Sequence, residues 1–418
     1  MRKIRPKPNL SAKVTLPGSK SYTQRALVIA ALAEGTSILS GALLSEDTEV
    51  MIDALRLLGV KIITGSEGIA VEGTGGAFSS PSQDLYLGNN GTALRFLTTL
   101  SCMATGEVNL TGVARLQERP VGPLISALRK LGADIDCPVR EGFPPLKIKA
   151  GQLRGGRVGF ADLESSQYIS SLLLSAPYAL EDIEIELLGH TVSRPYIDLT
   201  LAAMNDFGVG VEEVKWGYRV AAGQRYRARA YQVEGDASSA SYFFLAAALT
   251  GGRVEVANLS PDSLQGDVKF LDILRDMGCF VERNDNGVTV HGRKPPRGDY
   301  LIDMGDIPDL VPTMAVLAAF RDGKTRITNC AHLKHKESDR LAVLVEELGK
   351  MGVSAKETNG GLEIIGGAPR AAIVNAHEDH RIAMAFAIAG LALPGMKIEG
   401  DQWVNKSFPE FWEELDKL

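Results

Sequence analysis

Six stretches of the sequence repeat one pattern, with a period of about 70 to 75 residues. In each, a polar or glycine-rich turn leads into a run of small apolar residues and then into a short strand-like segment. The stretches begin at Gly18, Gly88, Glu164, Gly235, Gly305 and Ala376. A fixed period of this length indicates duplicated supersecondary units, because each unit must stack on its neighbours to bury its apolar face. The sequence therefore predicts a protein built from six similar α/β units.

A second type of helix recurs between the apolar ones, and it is amphipathic. In residues 341–348 the apolar side chains follow the i, i+3, i+4, i+7 spacing, and we expect Glu346 and Glu347 to face away from the core. A glycine follows most of these helices, as is typical of a left-handed helix end. We expect the amphipathic helices on the outside and the apolar helices inside. Each unit is then strand, helix, strand, helix and one or two further strands, with three units in each of two domains.

Composition restricts the class of protein. The chain has 418 residues, of which 45% are hydrophobic and 23% charged, as is ordinary for soluble globular proteins. A net charge of −6 argues against general nucleic-acid binding. The basic N-terminus leads into no apolar segment, and no apolar run reaches the roughly 20 residues of a membrane span. The four cysteines lack disulfide or zinc spacing, so we expect a cytoplasmic protein that binds neither nucleic acid nor membrane.

Charged and hydroxyl residues collect where the apolar helices begin. Helix starts carry unpaired N–H groups and the positive end of the helix dipole, and they attract anions. Lys20, Arg95 and Arg381 are examples of basic residues in these segments. Because the overall charge is negative, such basic residues must be concentrated locally. The pattern predicts a site that gathers negative charge.

Ten short motifs make this prediction more specific. They lie at residues 17–26, 88–95, 118–122, 165–167, 193–198, 235–240, 307–309, 336–340, 379–381 and 406–409. In this order they resemble the enolpyruvyl transferase family, and the Ser-Ser-Gln and Lys-Glu-Ser-Asp-Arg motifs resemble its branch that uses shikimate 3-phosphate. The resemblance implies an α/β protein of two similar domains, each of three βαβαββ repeats in an inside-out α/β barrel, with a ligand cleft between them. The implied domains are residues 15–228, and 1–14 with 229–418.

The resemblance also implies a reaction. The enolpyruvyl group of phosphoenolpyruvate moves to the 5-hydroxyl of shikimate 3-phosphate through a tetrahedral ketal, and phosphate is released. Asp309 resembles the base, whereas Lys20 and Glu337 resemble the proton carriers, in an order that the residues leave open. The resemblance further implies a shikimate pathway enzyme that acts as a monomer on small molecules, and this chemistry requires no metal or organic cofactor.

The binding residues follow from the same motifs. Those that resemble shikimate 3-phosphate contacts are Lys20, Ser21, Arg25, Ser165, Ser166, Gln167, Ser193, Tyr196, Asp309, His332 and Lys336. Those that resemble phosphoenolpyruvate contacts are Lys20, Gly91, Arg119, Gln167, Glu337, Arg340, His380, Arg381 and Lys406. The guanidinium groups of Arg, the ammonium groups of Lys and the N–H groups at helix starts offset the repulsion between phosphates and carboxylates.

The sequence also permits other interpretations of single positions and of the function. Bacterial members of the family often carry Asn where this chain has His332, and we expect the charge there to vary with pH. Phe96 replaces a proline and leaves the shape of the phosphoenolpyruvate pocket open. His377, Glu378 and His380 mimic metal ligands, but the sequence shows no convincing distant third ligand, and no metal is predicted. The alternatives are a transferase acting on UDP-N-acetylglucosamine and a non-catalytic anion-binding protein on the same scaffold.

Overall fold

The computed structural model describes residues 1–191, 193–285, 287–293 and 295–418. The chain divides into two compact units: unit A is Lys20–Val233, and unit B is Met1–Ser19 with Glu234–Leu418. The chain therefore passes from one unit to the other after residues 19 and 233, whereas the domains implied by the sequence motifs end after residues 14 and 228. The second crossing lies later because the strand Ala230–Gln232 pairs with Glu34–Ser40 and so belongs to unit A.

The elements alternate along the chain as the repeats predict. Unit B contributes the first two strands, β1 (Arg2–Lys3) and β2 (Ser11–Val14). Unit A continues with α1 (Lys20–Leu32), β3 (Glu34–Ser40), α2 (Glu46–Leu57), β4 (Lys61–Gly65), β5 (Gly68–Thr74), β6 (Leu85–Tyr86), α3 (Gly91–Ser101), β7 (Glu107–Thr111), α4 (Ala114–Gln117), α5 (Gly122–Lys130), β8 (Asp134–Asp136), β9 (Leu146–Lys149), β10 (Gly156–Leu163), α6 (Gln167–Ser175), β11 (Ile183–Thr191), α7 (Pro195–Asp206), β12 (Glu212–Val214), β13 (Gly217–Val220) and β14 (Ala230–Gln232).

Unit B then resumes with the remaining repeats. Its elements are α8 (Ala237–Thr250), β15 (Arg253–Val256), α9 (Phe270–Asp276), β16 (Phe280–Asn284), β17 (Gly287–His291), β18 (Tyr300–Asp303), α10 (Val311–Ala319), β19 (Gly323–Thr328), α11 (Arg340–Lys350), β20 (Ser354–Thr358), β21 (Gly361–Gly366), β22 (Ile373–Asn375), α12 (His380–Ala392), β23 (Lys397–Glu399) and α13 (Phe411–Lys417). Short 3-10 helices at Gly266–Lys269, Pro308–Leu310, Ala331–His335 and Asp401–Lys406 join them.

Six sheets share one plan. Each begins with a parallel pair of strands and continues with antiparallel ones, in the orders β14-β3-β5-β4, β6-β7-β9-β8, β10-β11-β13-β12, β2-β15-β17-β16, β18-β19-β21-β20 and β22-β23-β1. Among the described residues no sheet closes on itself. The leading strands β2 and β14 are exchanged. β2 directly precedes the helices of unit A in sequence but pairs with β15 of unit B, and β14 precedes the resumption of unit B but pairs with β3 of unit A. This exchange is how the chain passes from one unit to the other.

The predicted division between inner and outer helices is confirmed. In the inner series (α1, α3, α6, α8, α10 and α12) almost every residue is buried, whereas the amphipathic helices bury one face. The amphipathic helices are followed by left-handed glycines such as Gly59 and Gly352, with φ of 94° and 75°. Each unit has its own apolar core. Across the described ranges, no helix is long and apolar enough to cross a membrane.

Glu347 departs from the predicted pattern. The sequence placed it on the outward face of α11, but its side chain is fully buried. At 100° per residue Glu347 lies at the border of the apolar stripe, next to Leu344, rather than opposite it. The segment that follows β22 covers this border, and its residues contact the Glu347 carboxylate.

Candidate active site

Lys20 opens α1 and is held by a buried carboxylate. Its Nζ donates to Asp47 Oδ2 at 2.9 Å, and both side chains are largely buried. The backbone carbonyl of Asp47 in turn accepts a hydrogen bond from the side chain of Asn90 at 2.6 Å. Asn90 is the N-cap of α3 and accepts from the N–H of Ala93. Lys20 is thereby fixed beside the starts of both α2 and α3.

Arg25 lies one turn further along α1 and is almost completely buried. Its guanidinium donates to Thr200 Oγ1 at 2.7 Å and to the backbone carbonyls of Ser21 and Tyr196, each at 2.9 Å. Burial lowers the pKa of Arg25 to about 10, which leaves it charged at neutral pH. Within the described ranges its hydrogen-bond partners are all neutral, including the hydroxyl of Ser170. A buried cation of this kind favours an anion nearby.

Two guanidinium groups converge on Gly91. Arg119 donates to the carbonyl of Asn89 at 3.2 Å, and Arg95 donates to the carbonyls of Gly91 and Pro120 at 2.9 and 2.7 Å. A Cβ placed on Gly91 would lie 2.4 Å from Cζ and Nη2 of Arg119 and 2.4 Å from Nη1 of Arg95. The absence of a side chain at this helix start is what lets both guanidinium groups approach.

The remaining candidates of unit A occupy the starts of α6 and α7. Ser165 Oγ accepts from the N–H of Gln167 at 3.3 Å, and Gln167 Nε2 donates to Thr92 Oγ1 at 3.0 Å, which joins α6 to α3. Ser166 is buried before the helix. Ser193 has a φ of 59°, in the left-handed region, and precedes α7. Tyr196 lies in the first turn of α7, where its carbonyl binds Arg25.

In unit B, one carboxylate lies among three cations. Asp309 Oδ1 accepts from Arg340 at 3.0 Å and from Lys336 at 3.4 Å, and Oδ2 accepts from Arg381 at 2.9 Å. Burial would raise the pKa of Asp309, but the charges of Arg381, Lys336 and Arg340 outweigh it and hold the pKa well below the ordinary value. Asp309 is therefore ionised, and the surrounding side chains supply the positive charge that anionic groups need.

Arg340, the first residue of α11, is completely surrounded by carboxylates. Besides Asp309, it donates to Glu337 Oε2 at 2.7 Å and to both oxygens of Asp379, at 2.7 and 3.3 Å. Asp379 also accepts from the hydroxyl of Ser338 at 3.1 Å. Burial lowers the pKa of Arg340, but these carboxylates outweigh it and raise the pKa above its usual value. Asp309, Lys336, Glu337, Arg340 and Arg381 thus form one connected cluster.

The other candidates of unit B border this cluster. Asp379 is the N-cap of α12, where its Oδ1 accepts from the N–H of Arg381 at 2.9 Å. His380, the first residue of α12, is fully buried, with Nδ1 3.7 Å from Asp379. Lys406 is buried at the end of the 3-10 helix Asp401–Lys406, which packs against α12.

His332 does not behave as the sequence predicted. Burial, together with the charges of Lys336 and Arg340, lowers its pKa to about 3. The imidazole is therefore neutral throughout the physiological range, and the expected pH-dependent charge at this position is wrong. The sequence gives the residue type but not its burial, and burial decides the protonation state.

Three carboxylates organise these groups although the sequence motifs gave them no role, and of the three only Asp379 lies within a motif, at residues 379–381. Asp47 pairs with Lys20, Asp379 pairs with Arg340, and Asp267 is buried next to the cluster, where it accepts a hydrogen bond from Ser238. Their partners are distant in sequence, so no local signal identifies the pairs. Asp236 is the N-cap of α8, where its side chain accepts from the N–H of Ser239 at 2.9 Å.

Comparisons with known proteins identify the family of this chain. A model of the family described as EPSP synthase (3-phosphoshikimate 1-carboxyvinyltransferase) matches residues 4–415. A 3-phosphoshikimate 1-carboxyvinyltransferase of Syntrophobacter fumaroxidans is 45% identical over 423 residues, with 100% of each chain covered. The chloroplastic enzyme of the same name from Arabidopsis thaliana is 41% identical over 438 residues, which cover 99% of this chain and 84% of the relative.

Solved structures give the same result. An EPSP synthase of Acinetobacter baumannii matches with a TM-score of 0.81 and 30% identity, covering 99% of this chain and 97% of that one. The six repeated units have the fold of an enolpyruvyl transferase, and the predicted fold class is confirmed. Within that class, the chain belongs to the EPSP synthase family.

Proposed function

We propose that this enzyme transfers the enolpyruvyl group of phosphoenolpyruvate to the 5-hydroxyl of shikimate 3-phosphate. The observation that carries the proposal is the cluster of Lys336, Arg340 and Arg381 around a partly buried Asp309, in a chain that matches one family along nearly its whole length. Protonation of the methylene carbon and attack by the hydroxyl oxygen on C2 give a tetrahedral ketal. Loss of phosphate from C2 and of a proton from the methyl group then restores the C=C bond and gives the enol ether.

Both substrates are anionic, and the cations of each unit suit them. In unit B, Arg340, Arg381 and Lys406 would bind the carboxylate and phosphate of phosphoenolpyruvate, and His380 would support them. In unit A, Arg119 would add a planar donor beside Gly91, where no side chain blocks a ligand. Arg25, whose described partners are all neutral, would bind the carboxylate of shikimate 3-phosphate.

Serine hydroxyls and amide groups complete the second substrate site. Ser165, Ser166 and Ser193 lie before helix starts, where N–H groups favour a phosphate. Gln167 and Tyr196 lie in the first turns of α6 and α7. Lys336 and neutral His332 would supply donors from unit B.

Asp309 would act as the base on the 5-hydroxyl. While three cations bind it, Asp309 is a weak base because its pKa is well below the ordinary value. Phosphate and carboxylate groups of the substrates would take up donors of Arg340 and Arg381 and so weaken their hold on Asp309. Its pKa would then rise, and the base would become effective only when substrate is bound.

Lys20 and Glu337 are the candidates for proton transfer to and from the methylene carbon. Lys20 is already placed by Asp47 at 2.9 Å, whereas Glu337 is fixed by Arg340 at 2.7 Å. Replacement of each, combined with solvent deuterium exchange into the methylene group, assigns the donor: the residue whose loss stops exchange protonates the carbon.

Phosphate release from phosphoenolpyruvate tests the proposed function. The purified protein would be assayed with shikimate 3-phosphate, with UDP-N-acetylglucosamine and with neither acceptor. Release with shikimate 3-phosphate alone is the expected result. Release only with the sugar nucleotide would keep the reaction type but reject the acceptor, and no release from folded protein would favour a binding protein.

A further inference from the structure

The turn formed by residues 375–378, between β22 and α12, has an unfavourable backbone conformation. His377 and Glu378 have φ of 49° and 58°, in the left-handed region that residues with a Cβ rarely adopt. Two successive residues of this kind persist only where surrounding contacts determine the conformation. Asp379 and Arg381 follow directly, so the shape of this turn decides how α12 begins.

Glu347 of α11 supplies the contacts that hold the turn. Its Oε2 accepts from the backbone N–H of Asn375 at 3.2 Å, and its Oε1 lies 2.7 Å from His377 Nε2. Oε1 also accepts from Lys350 Nζ at 2.7 Å, which compensates for the burial of the carboxylate. The backbone N–H of His377 donates to Asn375 Oδ1 at 2.7 Å, so the turn is also bound to itself.

These contacts attach α11 to the start of α12 at a second place. The first place is the start of α11, where Arg340 donates to both oxygens of Asp379. The second, two helical turns later, is Glu347. Because Asp379 Oδ1 accepts from the N–H of Arg381, a rotation of the turn would move Arg381 away from Asp309, which it contacts at 2.9 Å.

We propose that Glu347, acting through His377, is a positioning residue that holds Arg381 in place for phosphoenolpyruvate binding. This inference rests on the proposed function. Glu346, Glu347 and His377 together could by their spacing hold a metal ion. Lys350 Nζ already lies 3.0 Å from Glu346 and 2.7 Å from Glu347, so an ammonium group supplies the positive charge there.

A matched pair of glycine variants tests the inference. His377→Gly and Glu378→Gly each remove the cost of a left-handed φ, but only His377→Gly removes the contact with Glu347. In His377→Gly we expect KM for phosphoenolpyruvate to rise about tenfold or more, because a misplaced binding group weakens binding. We expect kcat and KM for shikimate 3-phosphate to change little, and Glu378→Gly to resemble the wild type.

A second pair removes the charge at the other end of the contact. Glu347→Gln keeps the size but places an amide donor where a carboxylate oxygen now accepts, whereas Glu346→Gln changes the exposed neighbour that does not bind Asn375. KM for phosphoenolpyruvate should rise only in Glu347→Gln. Equal KM values in both variants of each pair would overturn the inference. If Glu347→Gln does not fold, the His377 and Glu378 variants decide.

Hydrogen exchange separates failure of this inference from failure of the proposed function. Absence of phosphate release by the wild type would reject the function, but the turn would still be measurable. Backbone exchange at residues 376–381 should be faster in His377→Gly than in Glu378→Gly, because only the former loses an anchor. Equal exchange in the two variants would show that Glu347 does not hold the turn through His377.

Discussion

Asp309 is bound by more cations than one carboxylate can neutralise, and its role as the base can be tested directly. In Asp309→Asn the side chain keeps its size but loses its charge and its ability to accept a proton. We expect kcat to fall by about 10² to 10⁴-fold, the usual contribution of a general base. KM for phosphoenolpyruvate should stay the same or fall, because Lys336, Arg340 and Arg381 lose a competing anion. Steady-state kinetics at saturating shikimate 3-phosphate measure both parameters.

Retention of near-normal kcat in Asp309→Asn would remove this residue from proton transfer. A fall in kcat together with loss of the folded state would instead indicate a structural role. Thermal unfolding of the variant, followed in the absence of substrates, distinguishes these outcomes.

Addition of one methyl group at Gly91 should selectively weaken the binding of phosphoenolpyruvate. In Gly91→Ala the new methyl group would lie 2.4 Å from the guanidinium atoms of Arg119 and Arg95. Both groups must shift, and we expect KM for phosphoenolpyruvate to rise about tenfold or more, with KM for shikimate 3-phosphate nearly unchanged. Gly65→Ala is the control, because no heavy atom lies within 4 Å of a Cβ there. Equal KM values for the two variants would contradict the expected collision.

Sequence motifs identified the charged side chains of the site but not the carboxylates that hold those side chains in place. The residues of the Lys-Glu-Ser-Asp-Arg motif are neighbours in sequence, and the short bend between the 3-10 helix Ala331–His335 and α11 brings them together. Asp379 lies 39 residues from Arg340, and Asp47 lies 27 residues from Lys20. An acidic residue at a helix start is equally typical of a cap, so the sequence offers no means of distinguishing the two roles.

The start of α12 depends on Asp379 both as a cap and as an ion-pair partner. Asp379→Asn separates these roles, because the amide oxygen can still accept from the N–H of Arg381 while the charge opposite Arg340 is lost. Removal of one partner of a buried pair typically costs about 3 to 5 kcal/mol. Arg340 retains Asp309 and Glu337, so we expect a loss at the lower end, about 3 kcal/mol. Urea unfolding gives this loss as a lower midpoint with an unchanged slope.

A surface ion pair provides the comparison for Asp379. Asp182 pairs with Arg219 at 2.9 Å, and both side chains are exposed. Asp182→Asn should cost at most about 1 kcal/mol, because exposed pairs are screened by water. An equal loss of stability in Asp182→Asn and Asp379→Asn would show that burial of the Arg340 pair contributes little.

The overall plan of the molecule was predictable because it is repeated six times. Each repeat gives the same order of apolar helix, strand and amphipathic helix. An element whose sequence is ambiguous in one repeat can therefore be assigned from the same position in the other repeats. The resemblance implied that residues 1–14, which contain β2, belong with the second domain. The pairing of β14 with β3 was not predictable, because strand partners are chosen by long-range packing rather than by local sequence.

The stability of the whole protein should depend on pH through Asp267. This carboxyl is buried, and burial raises its pKa from 3.8 to about 6 despite the attraction of Arg381. The folded protein therefore holds a proton that the unfolded chain releases between these values. The stabilisation is fully present below pH 3.8 and is lost as the pH rises through about 6. A shift of this size corresponds to roughly 3 kcal/mol.

Replacement of Asp267 by asparagine removes this titration. Asp267→Asn should raise the melting temperature at pH 8, where the wild type must bury a charge, and should leave it nearly unchanged at pH 4. Asp272→Asn is the control, since Asp272 lies on the exposed face of α9 and pairs only with Arg275 among the described residues. Melting curves of the three proteins at both pH values measure the effect. Stabilisation by Asp267→Asn that is equal at pH 4 and pH 8 would mean that the buried carboxyl does not change its proton in this range.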